Sequence, residues 1–375
     1  MQIENTHTVN GANPVDIDNL QRRYDIDWIR TLAVGLLIIY HITVSFLPWA
    51  KQFNFMQNDQ PLMELWTFMS LINLWRIPII FMVAGMGLYF SMQRRNYRQL
   101  MQERSRFILL PLVFGSLFIV PLLPFMLSNF YQQAFSYRPA MGHLWFLGNI
   151  YAYVLLLLPL FIYLNNRPDN LLFRAFNKLL QHPAGLYLLA LPMMLEAWLI
   201  NPELFFIYYK NLHGFWLGII CFSLGFLFVS LKGTFWSAVQ RSRHCSLTLA
   251  LLCFFNRLII FQFEAVPNPL LAFESLCWML AIFGYACRHL NRTSSTLSYF
   301  SQAVFPVYII HMPVQYAVSY YLLPLSLNPW LKLMVLITAT FIICLSCYEY
   351  IIRRTGWLRP LFGMKHLNIT SNSRS

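Results

Sequence analysis

Long apolar runs separated by short polar ones fill most of this chain, and their lengths predict helices that cross a bilayer. The runs lie near 28–48, 65–90, 107–127, 144–164, 184–200, 213–231, 246–263, 268–287, 299–323 and 330–352. A helix rises about 1.5 Å per residue, so roughly 20 apolar residues cover the hydrocarbon core. Ten segments meet or approach that length, 184–200 and 246–263 being the shortest. The expected fold class is an all-α integral membrane protein of about ten transmembrane helices. The first 27 residues are polar and lack the basic start and small-residue cleavage site of a signal peptide. No internal repeat or low-complexity linker interrupts the rest. The expected organisation is a polar segment 1–27, one membrane domain 28–352 and a basic tail 353–375.

Composition excludes a soluble alternative. Of 375 residues, 58% are hydrophobic and 11% charged, against about 25% charged in ordinary soluble domains. Mean hydropathy is +0.52. The seven cysteines show no CxxC or zinc-ligand spacing and sit mostly in apolar runs, where cysteine behaves as a small hydrophobe. No disulfide framework, metal site or tightly bound cofactor is expected.

The net charge of +13 has a topological origin. With the N-terminus placed in the cytoplasm, the expected external loops hold only Lys51, Arg138 and Lys210, and Arg30, Arg76, Arg257 and Lys332 lie in or at spans. Every other lysine and arginine falls on the cytoplasmic side, so both termini are expected there. A basic face beside anionic lipid accounts for the charge without nucleic acid, and it would also gather an anionic cytoplasmic ligand.

A few polar residues interrupt the spans. Arg30 and His41 stand eleven positions apart on the first helix. Eleven steps of about 100° bring them onto one stripe, roughly 16 Å apart, an arrangement suited to a long anionic molecule held at one end and reacted at the other. Ionisable side chains inside a membrane need a protein or water-filled environment. The expected topology puts Arg76 and His311 near mid-membrane, His143 at the outer surface, Glu196 and Glu274 toward the outside and Glu349 toward the cytoplasm. Together they would line a central polar passage.

Several blocks carry a resemblance. Asp27-Trp-Ile-Arg30-x10-His41 resembles the first-helix signature of the integral-membrane acyltransferase family three. The stretch from Arg76 to Gly85 is similar to its apolar "VFFxISG" second helix, with Ala84 where the family often has serine. Arg104-Ser-Arg106 through Pro111 resembles the basic turn and proline that open the third helix. Gly142-His143-Leu-Trp145-Phe146-Leu147 resembles the "HLWFL" block, and Phe305-Pro-Val-Tyr308-Ile-Ile-His311 the late "PxYxxH" helix. The resemblance spans 24–365, and its closest subgroup is the glucan-biosynthesis protein C group. It implies a bacterial inner-membrane O-acyltransferase. The donor would be cytoplasmic acyl-CoA, acetyl or succinyl. The acceptor would be an extracytoplasmic glycan, glucan or lipid-linked hydroxyl compound.

Acyl transfer to an alcohol needs a base and a stabiliser for the developing oxyanion. Histidine suits the first task near neutral pH, and His41 is the expected base, with transient acylation of His41 left open. Arg30 would hold the donor's phosphate or pantetheine region. Asp27 would orient Arg30, or else simply favour the helix N-terminus. Arg76 would serve the oxyanion, the donor or an anionic acceptor, or would pair structurally with Glu196 or Glu274. His143 and Trp145 would meet the acceptor, or belong to an interfacial aromatic belt. His311 would be a second catalytic or orienting group, or an ordinary interhelical bond. A transporter or flippase of a lipid-linked saccharide or anionic metabolite is the rival function. It predicts inverted repeats, which the sequence does not display. The acyl group, the acceptor and the oligomeric state are not legible.

Overall fold

The computed structural model describes residues 22–167, 170–182 and 184–365, so most of the expected N-terminal segment and the last ten residues of the tail fall outside it. Each of the ten apolar runs lies on helix, and no strand occurs among the described residues. Among the described residues seven helices are long and apolar enough to cross a membrane: Tyr24–Val44, Leu65–Met92, Tyr97–Phe130, Gly142–Asn165, Leu212–Ser230, Asn268–His289 and Pro329–Ile352. Three runs expected to span fall short of those criteria. The segment at 184–200 is broken into Gly185–Leu188 and Leu191–Ile200. The helix Gly233–Ile259 carries Arg241, Arg243 and Arg257. The helix Ser295–Leu322 is long enough, at 28 residues, but it is diluted by serine, glutamine, histidine and two prolines.

Local chemistry sets several boundaries. Asp25 and Asp27 occupy the first turn of the first helix, where negative charge complements the macrodipole. Asn96 and Gln99 form a capping box at the start of the third. That third helix contains two π-turns, Ser105–Leu109 and Gly115–Ile119, a feature frequent at functional sites.

Proline shapes the two helices nearest the site. A proline removes the N–H that would bond the carbonyl four residues earlier, and in a membrane that carbonyl must find another donor. Pro78 frees the carbonyl of Leu74, which accepts from Ser275 Oγ at 2.8 Å and Tyr208 Oη at 3.2 Å. Pro313 frees the carbonyl of Ile309, which His143 Nε2 reaches at 2.9 Å. Both kinks therefore become interhelical bonds.

Close packing and buried pairs hold the helices together. Gly85 lies against the carbonyl of Phe222, and Gly225 against that of Met82, so the second helix and Leu212–Ser230 approach backbone to backbone. Arg257 bonds Glu274 through two nitrogens, at 3.0 and 2.9 Å, and the carbonyl of Ser70 at 2.9 Å. His213 bonds Glu196 at 2.9 Å. Lys332 Nζ donates to Asn58 Oδ1 at 3.0 Å and to the Leu323 carbonyl at 2.6 Å. These satisfied polar groups fix the frame around one large internal cavity.

Candidate active site

The cavity has a volume of about 1080 Å³ and runs alongside the first helix. Chain order places its parts. Arg30, Arg104, Arg359 and Lys365 line one end; Tyr40, His41, Arg76, His143 and Tyr308 line the middle; Trp49, Phe53, Arg138 and Tyr209 line the other end. The expected stripe is present, since Arg30 and His41 face the same space. Glu196, Glu274 and Glu349, expected in the polar passage, are not among its lining residues. The first two are engaged by His213 and Arg257, and Glu349 pairs with Arg353 at 2.7 Å.

Three histidines expected at separate depths converge. His41 Nδ1 lies 2.9 Å from His311 Nε2, with the rings nearly parallel, 7° apart in plane and 5.2 Å between centroids. His311 Nδ1 lies 2.6 Å from the Tyr308 carbonyl. A carbonyl only accepts, so His311 carries its proton on Nδ1 and, as a neutral ring, offers a lone pair at Nε2. His41 must then donate from Nδ1, which leaves its Nε2 as the unprotonated nitrogen. Among the described residues no group bonds that Nε2, on a ring that lines the cavity. Gln315 Nε2 steadies the same turn by donating to the His41 carbonyl at 2.9 Å. His311 itself is fully buried behind His41 rather than on the cavity wall.

His143 does not sit at a surface, as its position at the head of a span led us to expect. Gly142, with φ +46°, turns the chain so that the His143 ring packs edge-on to His311, 5.2 Å between centroids. Its Nε2–H donates to the Ile309 carbonyl freed by Pro313, and Tyr308 Oη donates to the His143 carbonyl at 2.5 Å. Nδ1 of His143 has no hydrogen-bond partner.

Arg76 is 4% exposed and lies over the Tyr40 ring, 3.6 Å from its centroid. Its Nε and Nη1 have no partner. The alternative reading, a structural pair with Glu196 or Glu274, is not what forms, because Glu196 bonds His213 and Glu274 bonds Arg257. A buried cation without a carboxylate is costly, and a negative charge supplied by a ligand in the cavity would offset that cost. Tyr40 covers the guanidinium beside His41, so charge developing near the histidine would lie close to Arg76.

At the cationic end, Arg30 bonds Asp27 Oδ1 at 3.1 Å and the Ser301 carbonyl at 3.4 Å. Asp27 also accepts from Arg22 at 2.8 Å. Asp27 is therefore a partner that orients Arg30 and does not line the cavity. Arg104 donates to Ser91 Oγ at 2.6 Å, and Arg359 to the Lys365 carbonyl at 2.6 Å. Sequence reasoning had not singled out Arg104, Arg359, Lys365, Tyr40 or Tyr308 as site residues. Arg104 and Tyr308 lie within the family-like blocks, and Arg359 and Lys365 reach the cavity through a turn after the last span. Trp145 lines the cavity, its ring 6.3 Å from that of Tyr209. Among the described residues no set of three His, Cys, Asp or Glu side chains is arranged to hold a metal ion.

The family model for the acyltransferase domain matches residues 23–349. No curated protein and no solved structure matches the chain.

Proposed function

The chain belongs to the acyltransferase family three, and from that premise we propose that it moves an acyl group from acyl-CoA on the cytoplasmic side to a hydroxyl of an extracytoplasmic glycan. His41 is the base. The observation carrying this reading is the bare Nε2 of His41, backed by His311, in one cavity with a cluster of cations. The acceptor hydroxyl gives its proton to His41 Nε2 while its oxygen attacks the thioester carbon. The resulting oxyanion falls to Arg76. Collapse of the tetrahedral intermediate forms the ester and breaks the C–S bond, and the departing thiolate recovers the proton from His41. As His41 becomes charged, its Nδ1–H bond to His311 strengthens and spreads that charge.

Arg30, Arg104, Arg359 and Lys365 suit the donor's phosphates, with the pantetheine arm reaching inward along the first helix. The separation of about 16 Å between Arg30 and His41 fits that extended arm. The same reading places both termini in the cytoplasm of a bacterial inner membrane. Acetyl and succinyl are the candidate acyl groups, and a glucan is among the candidate acceptors.

The test is thiol release from acetyl- and succinyl-CoA by purified protein in nanodiscs, with an envelope-glycan extract as acceptor. We expect one donor to be turned over and His41→Ala to lose at least about a hundredfold in rate, within the range of general base catalysis, with membrane insertion unchanged. Full activity in His41→Ala would remove the base assignment.

A further inference from the structure

A second cleft of about 740 Å³ adjoins the main cavity, the two sharing Ala140, Trp145, Tyr208 and Tyr209 as lining. We propose that this side cleft is the acceptor subsite, and that it holds a saccharide whose reactive hydroxyl passes Trp145 toward His41. The proposal rests on the acyltransferase reading above and gives it a place for the second substrate. The cleft's volume falls within the ~300–1,000 Å³ of small-ligand sites.

Its lining matches a sugar ring better than an acyl chain. Trp145, Tyr209 and Phe215 supply aromatic faces, whose negative quadrupole attracts the polarised C–H bonds of a pyranose face. Polar groups are interleaved with them. Ser116 Oγ is buried without any hydrogen-bond partner, although a serine inside a helix usually bonds back to its own backbone. Ser116 lies in the second π-turn of the third helix and lines the cleft. Asn149 gives one amide proton to Tyr153 Oη at 3.2 Å, and its carbonyl oxygen has no protein partner. Lys210 extends over Tyr209, 5.1 Å from the ring centroid. An unmet hydroxyl, an amide oxygen and an ammonium among aromatic faces form a hydroxyl-reading surface. No carboxylate lines the cleft, so a phosphate on the sugar would be tolerated.

The rim is open to the outside of the molecule at Leu212, which is 68% exposed. A free glycan and a lipid-linked glycan present the same sugar chemistry to this cleft, and the test separates them.

Wild type, Ser116→Leu and Asn149→Leu would be assayed for labelled acyl transfer to two acceptor fractions, a soluble envelope glycan and a lipid-extracted glycan. The Michaelis constants for acceptor and acyl-CoA would be measured separately. Protection of each variant against heating by CoA would show that the donor site remains folded. We expect the acceptor constant to rise about tenfold for one or both fractions, with the acyl-CoA constant within twofold. An unchanged acceptor constant, or a parallel rise in the donor constant, would overturn the proposal. Donor turnover without transfer to either glycan would also overturn it, and would leave the His41 reading standing. Absence of any His41-dependent thiol release would remove both.

Discussion

In the proposed mechanism His41 owes its tautomer to a residue 270 positions away. On its own helix it is one more polar side chain in an apolar stretch; the bond to His311 decides which nitrogen is free. His311 is thus a positioning residue, and its replacement should act on rate rather than on binding. For His311→Ala we expect kcat to fall about a hundredfold, at the lower end of acid–base contributions, with the acyl-CoA constant unchanged. His311→Gln should recover part of the loss, because an amide oxygen can accept from His41 Nδ1. Steady-state kinetics of the two variants check this. Equal rates for Ala and Gln would mean that His311 only fills space. The Arg30–His41 stripe was legible because helical periodicity is local. The histidine cluster was not, since no spacing in the sequence links positions 41, 143 and 311. For Arg76 the sequence leaves a structural pair with Glu196 or Glu274 open beside the functional reading, and only tertiary contacts reveal that His213 and Arg257 take those carboxylates.

Among the helices, the prolines turn a structural defect into a site. Pro313 leaves the Ile309 carbonyl without its helical donor, and His143 takes that place. The proline and the histidine were both visible in the sequence, but that one serves the other appears only when the two helices pack. Pro313→Ala would restore an N–H to the helix and set it in competition with His143. We expect thermal stability to hold or increase, as proline in a helix interior costs about 3 kcal/mol, while acyl transfer falls several-fold as His143 loses its anchor. Calorimetry beside turnover measures both. A variant equally stable and fully active would show that the His143–Ile309 bond has no part in catalysis. Every expected apolar run falls on helix, but 184–200 is broken in two, 246–263 begins in the middle of Gly233–Ile259, and polar residues dilute Ser295–Leu322. A helix that lines a reactive cavity loses the uniform apolarity by which spans are recognised.

For the whole molecule, the cavity joins a cationic end to an aromatic one through the histidine cluster, and the proposed topology assigns these ends to opposite sides of the membrane. Donor and acceptor would then approach from opposite faces and meet at His41. Proteoliposomes enclosing labelled acyl-CoA, with envelope glycan outside, test this most directly, because neither substrate crosses the bilayer unaided. The account predicts labelled ester on the external glycan, CoA retained inside, and loss of both in His41→Ala. Ester formation that requires donor and glycan on the same side, or that persists in His41→Ala, would contradict it.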